Sequence, residues 1–271
     1  MTQETEYIAA DSGPRAQLDP RDAELLEGKK VVIVMPAYNA ALTLQLTWDD
    51  IPQAWVDRVV LVDDFSSDAT IEVARSLRID TVRHPHNVGY GGNQKTCYME
   101  ALRLGADVVV MLHPDGQYDP TLIPDVVRPI LTGEADLVLG SRFLTPGGAR
   151  EGGMPLYKFV SNRFLTTVEN FVLGRRFAEL HTGYRAYSRH FLESVPFLRN
   201  SNDFVFDSEI IAQAVHFGFD VTEVPVATKY FPEASSASLR QSLVYGLKTL
   251  GTMARLAAHR TGLVRSRMFV K

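Results

Sequence analysis

The chain has 271 residues, 45% of them hydrophobic and 22% charged, a globular composition that excludes a wholly disordered chain and fits one α/β domain with tails. The net charge of −4 carries no dominant basic face of the kind that marks a nucleic-acid binder, so no nucleic-acid partner is expected. The single cysteine, Cys97, cannot close an internal disulfide, no apolar run approaches the roughly 18 residues that span a bilayer, and the first 28 residues lack the hydrophobic stretch of a signal peptide. A reducing, cytoplasmic setting is expected.

Residues 1–28 are polar, hold seven acids against two arginines, and contain Gly13, Pro14 and Pro20 without a sustained period, so they read as a mobile N-terminal arm. The folded domain is expected over 29–237. Val31–Met35, Val59–Val62 and Val108–Leu112 are short unbroken apolar runs of the kind found in strands covered on both faces. Helical stretches separate them: Asp68 can cap one carrying Ile71, Ala74 and Leu77, and Asp119-Pro120 opens another carrying Ile123, Val127 and Ile130. Alternating strands and helices predict an α/β, Rossmann-like, mostly parallel sheet with helices on both faces and a ligand crevice at the carboxyl ends of the strands.

Three polar loops follow those runs: Pro36-Ala37-Tyr38-Asn39, Asp63-Asp64-Phe65-Ser66-Ser67-Asp68, and His113-Pro114-Asp115-Gly116-Gln117-Tyr118. Either Asp63 or Asp64 alone could merely cap the next helix; their recurrence at successive strand ends favours a site. The segment Gly89-Tyr90-Gly91-Gly92-Asn93 lacks the G-x-G-x-x-G spacing of a dinucleotide fold, which argues against a dehydrogenase. Its glycines instead suit a loop passing close to a ligand, with Lys95 beside a phosphate or base.

At these residues the chain resembles family 2 glycosyltransferases of the GT-A fold, since Val34–Asn39 is similar to their first-strand motif and Val62–Thr70 to their V-D-D-x-S-x-D-x-T signature. Asn87-Val88-Gly89, Gly140–Phe143, Thr182–Arg185 and Glu223-Val224-Pro225 narrow the likeness to dolichol- and polyprenyl-phosphate sugar transferases, over about residues 30–240. The resemblance implies that Tyr38 stacks on the nucleotide base and Asp64 accepts from a base N–H, with Pro36, Ala37, Asn39 and Asp63 completing the pocket. An aromatic face gives affinity for any base while a fixed acceptor supplies selectivity.

The family's metal motif is D-x-D, often followed by Gln, and here the first acid is replaced by His113. Asp115 and Gln117 remain as oxygen ligands for Mg²⁺ or Mn²⁺, with His113 either a further ligand better suited to Mn²⁺ or a hydrogen-bond donor to a phosphate. By the same resemblance Arg142 and Lys229 would neutralise the leaving diphosphate, and Lys158, Ser161 and Arg163 would dock the phosphate of a lipid acceptor. Such an acceptor is already an anion at neutral pH and requires no general base.

After Ser235-Ser236 a final helical stretch, 238–271, places Leu239, Leu243, Leu247, Leu250 and Met253 on one arc beside Arg240, Lys248 and Arg255, with Arg260, Arg265, Arg267 and Lys271 trailing. Residues 234–271 hold seven Lys/Arg and no acid, which suits an anionic membrane surface; packing on the domain, a second subunit or a membrane-protein partner is the alternative. The resulting expectation is a metal-dependent inverting transferase that moves a hexose from GDP-mannose or UDP-glucose to a polyprenyl phosphate, held peripherally at the cytoplasmic membrane face. Its rivals are a transferase of the same fold with a soluble acceptor, using Asp207 or Glu209 as base, and an inactive nucleotide-sugar sensor.

Overall fold

A computed structural model describes residues 18–145, 147–228 and 239–271. In chain order the elements are α1 (Pro20–Leu25), β1 (Val31–Ala37), α2 (Leu44–Asp49), β2 (Arg58–Asp63), α3 (Thr70–Ser76), β3 (Asp80–Arg83), α4 (Tyr90–Arg103), β4 (Val108–Met111), α5 (Ile123–Leu131), β5 (Leu137–Ser141), α6 (Gly148–Glu151), α7 (Leu156–Leu173), β6 (Arg185–Ser188), α8 (Arg189–Ser194), α9 (Phe206–His216), β7 (Val221–Pro225) and α10 (Leu239–Arg260). The seven strands form one sheet in the order β3-β2-β1-β4-β6-β5-β7, and every pairing is parallel except those of β6 with β4 and β5.

The unbroken apolar runs have a direct cause. Successive strand residues point to opposite faces, and both faces are covered. Val32 and Val34 of β1, Val60 and Val62 of β2, and Val109 and Met111 of β4 enter one core layer with Tyr98, Phe206 and Ile210. Val31, Ile33, Met35, Leu61, Val108 and Val110 enter the other with Leu44, Ile123, Val126 and Val127. The mostly parallel sheet covered on both faces is as expected, and the polar residues after β1, β2 and β4 meet at its carboxyl edge.

The amino-terminal boundary differs from the expectation. The stretch read as a mobile arm folds from Pro20 onwards: Asp19 caps α1 by accepting from Arg21 N, Arg128 of α5 pairs with Asp22 at 3.0 Å, and Leu26 is fully buried in the second core layer. A short polar segment with one apolar anchor has no period to detect, yet one leucine and one ion pair dock it. Residues 1–17 lie outside the described residues.

The carboxyl-terminal helix forms as read, but of the described part of the expected arc only its Met253 edge is buried. Thr249, Thr252, Met253 and Leu256 are buried, whereas Leu243 and Leu247 stay 65% and 62% exposed. The buried face is turned about a third of a turn from the leucine arc. Hydroxyl contacts explain it: Ser208 of α9 lies 3.2 Å from both Tyr245 and Thr249, and Gly246 lets α10 approach Leu165 of α7. Polar residues that satisfy one another can occupy a helix seam that hydropathy alone assigns to leucine.

Candidate active site

The site grows from the ends of β1 and β2. Asp64 N donates to Ala37 O at 2.8 Å, Asn39 N to Ser66 Oγ at 2.8 Å, and Asn39 Oδ1 accepts from Ser67 N at 2.9 Å, so the two loops are tied into one rim. Asn39 takes a left-handed conformation, φ 53°, which its short polar side chain tolerates. Tyr38 is left 58% exposed on that rim, its ring presented to the pocket.

Asp64 is buried and already engaged. Its carboxylate accepts from Val88 N and Gly89 N at 2.8 and 3.0 Å and lies 2.9 Å from His84 Nδ1, whose Nε2 meets Thr96 Oγ1. Asp64 therefore fixes the 87–89 loop while lining the pocket with Asn87 and Gly89. The role of His84 is not legible in sequence, because the contact crosses from β3 to β2. Asp63 points the other way: it is wholly buried, accepts from Ser66 N and faces Arg83, and the structure does not bring it to the pocket.

The opposite wall comes from the antiparallel strand. Met111 pairs with Arg185, so continuing the register two residues sets His113 beside Gly183. A β-carbon at Gly183 would lie 2.9–3.0 Å from the imidazole; the glycine is required by that close approach. Gly183 N donates to Tyr118 Oη at 2.9 Å, which ties the strand to the metal-motif loop. Within that loop Asp115 accepts from the backbone N and Nε2 of Gln117, both at 3.0 Å. Burial holds the His113 imidazole below its ordinary range, and burial pushes the Asp115 carboxyl upward against the opposing pull of His113.

Behind His113 lies a buried polar cluster. Tyr90 Oη is 3.3 Å from His113 Nε2 and donates to Asp207 Oδ2 at 2.9 Å. Asp207 Oδ1 accepts from Gln94 Nε2 at 3.0 Å and pairs with Arg185 Nη1 at 2.7 Å; Arg185 is 1% exposed. Burial first, and the neighbouring Asp207 second, hold the Tyr90 hydroxyl well above its usual range, so it keeps its proton. Tyr90 falls in the glycine segment and Arg185 in the 182–185 segment, but no local pattern predicts that they meet, since α4, β6 and α9 contribute one or two residues each.

Pro36, Ala37, Tyr38, Asn39, Asp64, His113, Asp115 and Gln117 all line one open pocket of about 850 Å³, the size of a nucleotide-scale site, and Tyr90, His181, Thr182, Asp203, Asp207, Gln241 and Tyr245 join them. No described Lys or Arg side chain lines it. Arg185 offsets Asp207 and Lys248 pairs with Asp203, which leaves Asp64 and Asp115 without a described Lys or Arg partner. Among the described residues the lining thus carries more acidic than basic side chains, with a carboxylate, an amide oxygen and an imidazole that suit a hard to borderline divalent cation. Among the described residues no cluster of three or more His, Cys, Asp or Glu side chains could hold a metal ion, so a cation here would also need oxygens from its ligand.

Several expected residues lie elsewhere. Arg142 is buried in an ion pair with Glu179 and donates to His181 O, a wall position rather than a lining one. Lys95 Nζ donates to Asn200 O and Asn202 Oδ1, and Gly91 and Gly92 serve the packing of α4 on that 200–202 segment; of Gly89, Gly91 and Gly92, Gly89 alone lines the pocket. On α7, Ser161 Oγ donates to Tyr157 O, the Arg163 guanidinium lies over Phe143, and Lys158 is half-buried with its pKa lowered by burial and by Arg142; none of the three lines the pocket. Lys229 lies outside the described residues.

Residues 32–195 match glycosyl transferase family 2. The chain is 27% identical over 219 residues to UDP-N-acetylglucosamine–dolichyl-phosphate N-acetylglucosaminyltransferase of Methanococcus voltae, covering 74% of this chain and 86% of the relative. It is 28% identical to polyprenol monophosphomannose synthase of Mycolicibacterium smegmatis, covering 73% and 77%. Among solved structures, glucosyl-3-phosphoglycerate synthase of Mycobacterium tuberculosis in complex with uridine diphosphate superposes with a TM-score of 0.70 at 19% identity, covering 87% and 82%; a complex of the same protein holds Mn²⁺ and UDP-glucose.

Proposed function

The chain belongs to glycosyl transferase family 2, and on that premise we propose that it is a metal-dependent inverting transferase carrying a hexose from a nucleotide-diphosphate sugar, GDP-mannose or UDP-glucose in type, to a polyprenyl phosphate. The observation that carries the reading is the acidic lining of the described pocket: a diphosphate entering beside Asp64 and Asp115, with no described Lys or Arg lining the walls, needs a cation to accompany it. Asp115, Gln117 and His113 would hold that Mg²⁺ or Mn²⁺, which when bound stabilises charge on the departing diphosphate.

The chain's own residues do the rest. Tyr38 offers its exposed ring to the base, and the loop that Asp64 clamps presents Asn87 and Gly89 to the nucleotide. The acceptor oxygen attacks from the face opposite the nucleotide, and a phosphate acceptor arrives already ionised. In a test with the full chain, GDP-mannose or UDP-glucose, Mn²⁺ and a short polyprenyl phosphate, a lipid-linked sugar should form and vanish with chelator. Donor hydrolysis without any transfer would overturn the reading in favour of the inactive sensor.

One observation favours a second reading, a soluble acceptor deprotonated by a carboxylate. Asp207 lines the pocket, whereas Glu209 is committed to Ser201 N and Oγ, so Asp207 would be that base. Full-rate transfer to a lipid-free hydroxyl acceptor would select it.

Peripheral attachment to an anionic, cytoplasmic membrane face accompanies the lipid reading. No described helix is long and apolar enough to cross a membrane. Two helices that pack on each other instead leave large apolar side chains in solvent: Leu156, Val160, Phe164 and Phe171 on α7, and Leu243, Val244 and Leu247 on α10. Arg163, Arg240 and Arg255 are exposed on the same helices. Apolar side chains beside arginines suit the headgroup layer of an anionic bilayer.

A further inference from the structure

We propose that Asp207 is a positioning residue: acting through the Tyr90 hydroxyl, it holds His113 as the Nε2–H tautomer and leaves the Nδ1 lone pair for the metal ion. The inference rests on the metal reading above and deepens it, because it says how an imidazole substitutes for the missing carboxylate of the motif.

Tyr90 Oη has one hydrogen and two neighbours, Asp207 Oδ2 at 2.9 Å and His113 Nε2 at 3.3 Å. The Asp207 carboxylate already accepts from Arg185 Nη1 at 2.7 Å and from Gln94 Nε2 at 3.0 Å, and a carboxylate can only accept. The shorter, charge-assisted bond takes the tyrosine proton. Tyr90 oxygen then faces Nε2 with a lone pair, and only a hydrogen on Nε2 makes that contact attractive. With the proton on Nδ1, two lone pairs would oppose each other in a partly buried setting, at a cost comparable to leaving a buried acceptor unmade.

The ring has little freedom to escape this arrangement. The Tyr90 ring lies nearly parallel to it, at 6° and 5.7 Å between centroids, and Gly183 closes on its Cδ2–Nε2 edge. Among the described residues His113 Nδ1 has no hydrogen-bond partner. An imidazole whose second nitrogen is fixed by a donor–acceptor chain is the usual arrangement of a metal-bound histidine, and loss of such a partner typically weakens metal binding 10- to 100-fold, by about that range here.

The test uses full-length protein labelled with ¹⁵N-histidine, with the His113 resonances assigned by their loss in His113→Asn. Long-range ¹H–¹⁵N spectra of the metal-free wild type should show a protonated-type shift at Nε2 and an imine-type shift at Nδ1. Tyr90→Phe, which keeps the ring and removes only the hydroxyl, should turn this single form into a tautomer mixture. With UDP present as probe, the same variant should weaken Mn²⁺ binding, read by calorimetry, on the order of 10-fold. An Nδ1–H tautomer in the wild type would overturn the proposal, as would unchanged Mn²⁺ affinity in Tyr90→Phe when Asp115→Ala loses it. Unchanged affinity in both variants would remove the metal reading as well, so the two failures are distinguishable.

Discussion

Gly183 and His113 occupy one another's space, and that single contact illustrates how the site is built at the scale of residues. Gly183→Ala keeps every polar group yet pushes a methyl to within about 3 Å of the imidazole, a contact tighter than van der Waals packing allows. Transfer should fall at least about 10-fold with a folded circular dichroism spectrum; wild-type activity in this variant would show that the imidazole position is immaterial. Asp115 allows a sharper separation of function from stability. Burial raises its carboxyl pKa, so at neutral pH the folded state holds a charge it disfavours, and that cost disappears as pH falls through the raised value and the group protonates. Asp115→Asn should therefore reduce transfer on the order of 100-fold while leaving the Tm at pH 7 equal or higher, with the two melting points converging under acid. A lower Tm at pH 7 would mean that the carboxylate is structural.

At the scale of elements, the terminal segments decide where the domain ends. Leu26 lies in the second core layer, so Leu26→Ala should cost about 2–5 kcal/mol in a denaturant titration, whereas a residue in a mobile arm would cost nothing measurable. On α10 the contrast is within one helix. Met253→Ala should destabilise by a comparable amount, since Met253 is buried beside Leu256, while Leu247→Ala should stay within about 0.5 kcal/mol. Equal losses at both positions would refute the seam described here. The leucine arc misled because hydropathy ranks Thr249 and Thr252 as surface residues, and the Thr249 hydroxyl meets Ser208 only once α9 lies alongside.

For the molecule as a whole, the exposed apolar arcs of α7 and α10 and the net basic tail should bind liposomes containing anionic lipid, more weakly as salt rises. Leu243→Glu combined with Leu247→Glu should abolish co-sedimentation without lowering the Tm, because both side chains are already in solvent. Binding that survives both substitutions and high salt would exclude this surface. Concentration-dependent self-association that the same pair removes would instead make it a contact between copies of the chain.

The strands, the mostly parallel sheet and the rim formed by Tyr38, Asp64, Asp115 and Gln117 were legible in the sequence because each rests on local information. Strands covered on both faces give unbroken apolar runs, and the residues that follow them must emerge at one edge. What only tertiary structure decided has the opposite character. Asp63 and Asp64 are adjacent and chemically equal, yet alternation along the backbone sends one inward and the other to the pocket. Arg142 and Arg185 each fall in a segment that matched, yet Arg142 meets Glu179 from another segment, and Arg185, brought behind His113 by β6 running antiparallel beside β4, meets there Asp207 from α9 and Tyr90 from α4. Sequence specifies what each residue can bond; which partner it meets depends on contacts between segments scores of residues apart, and those exist only once the sheet has formed.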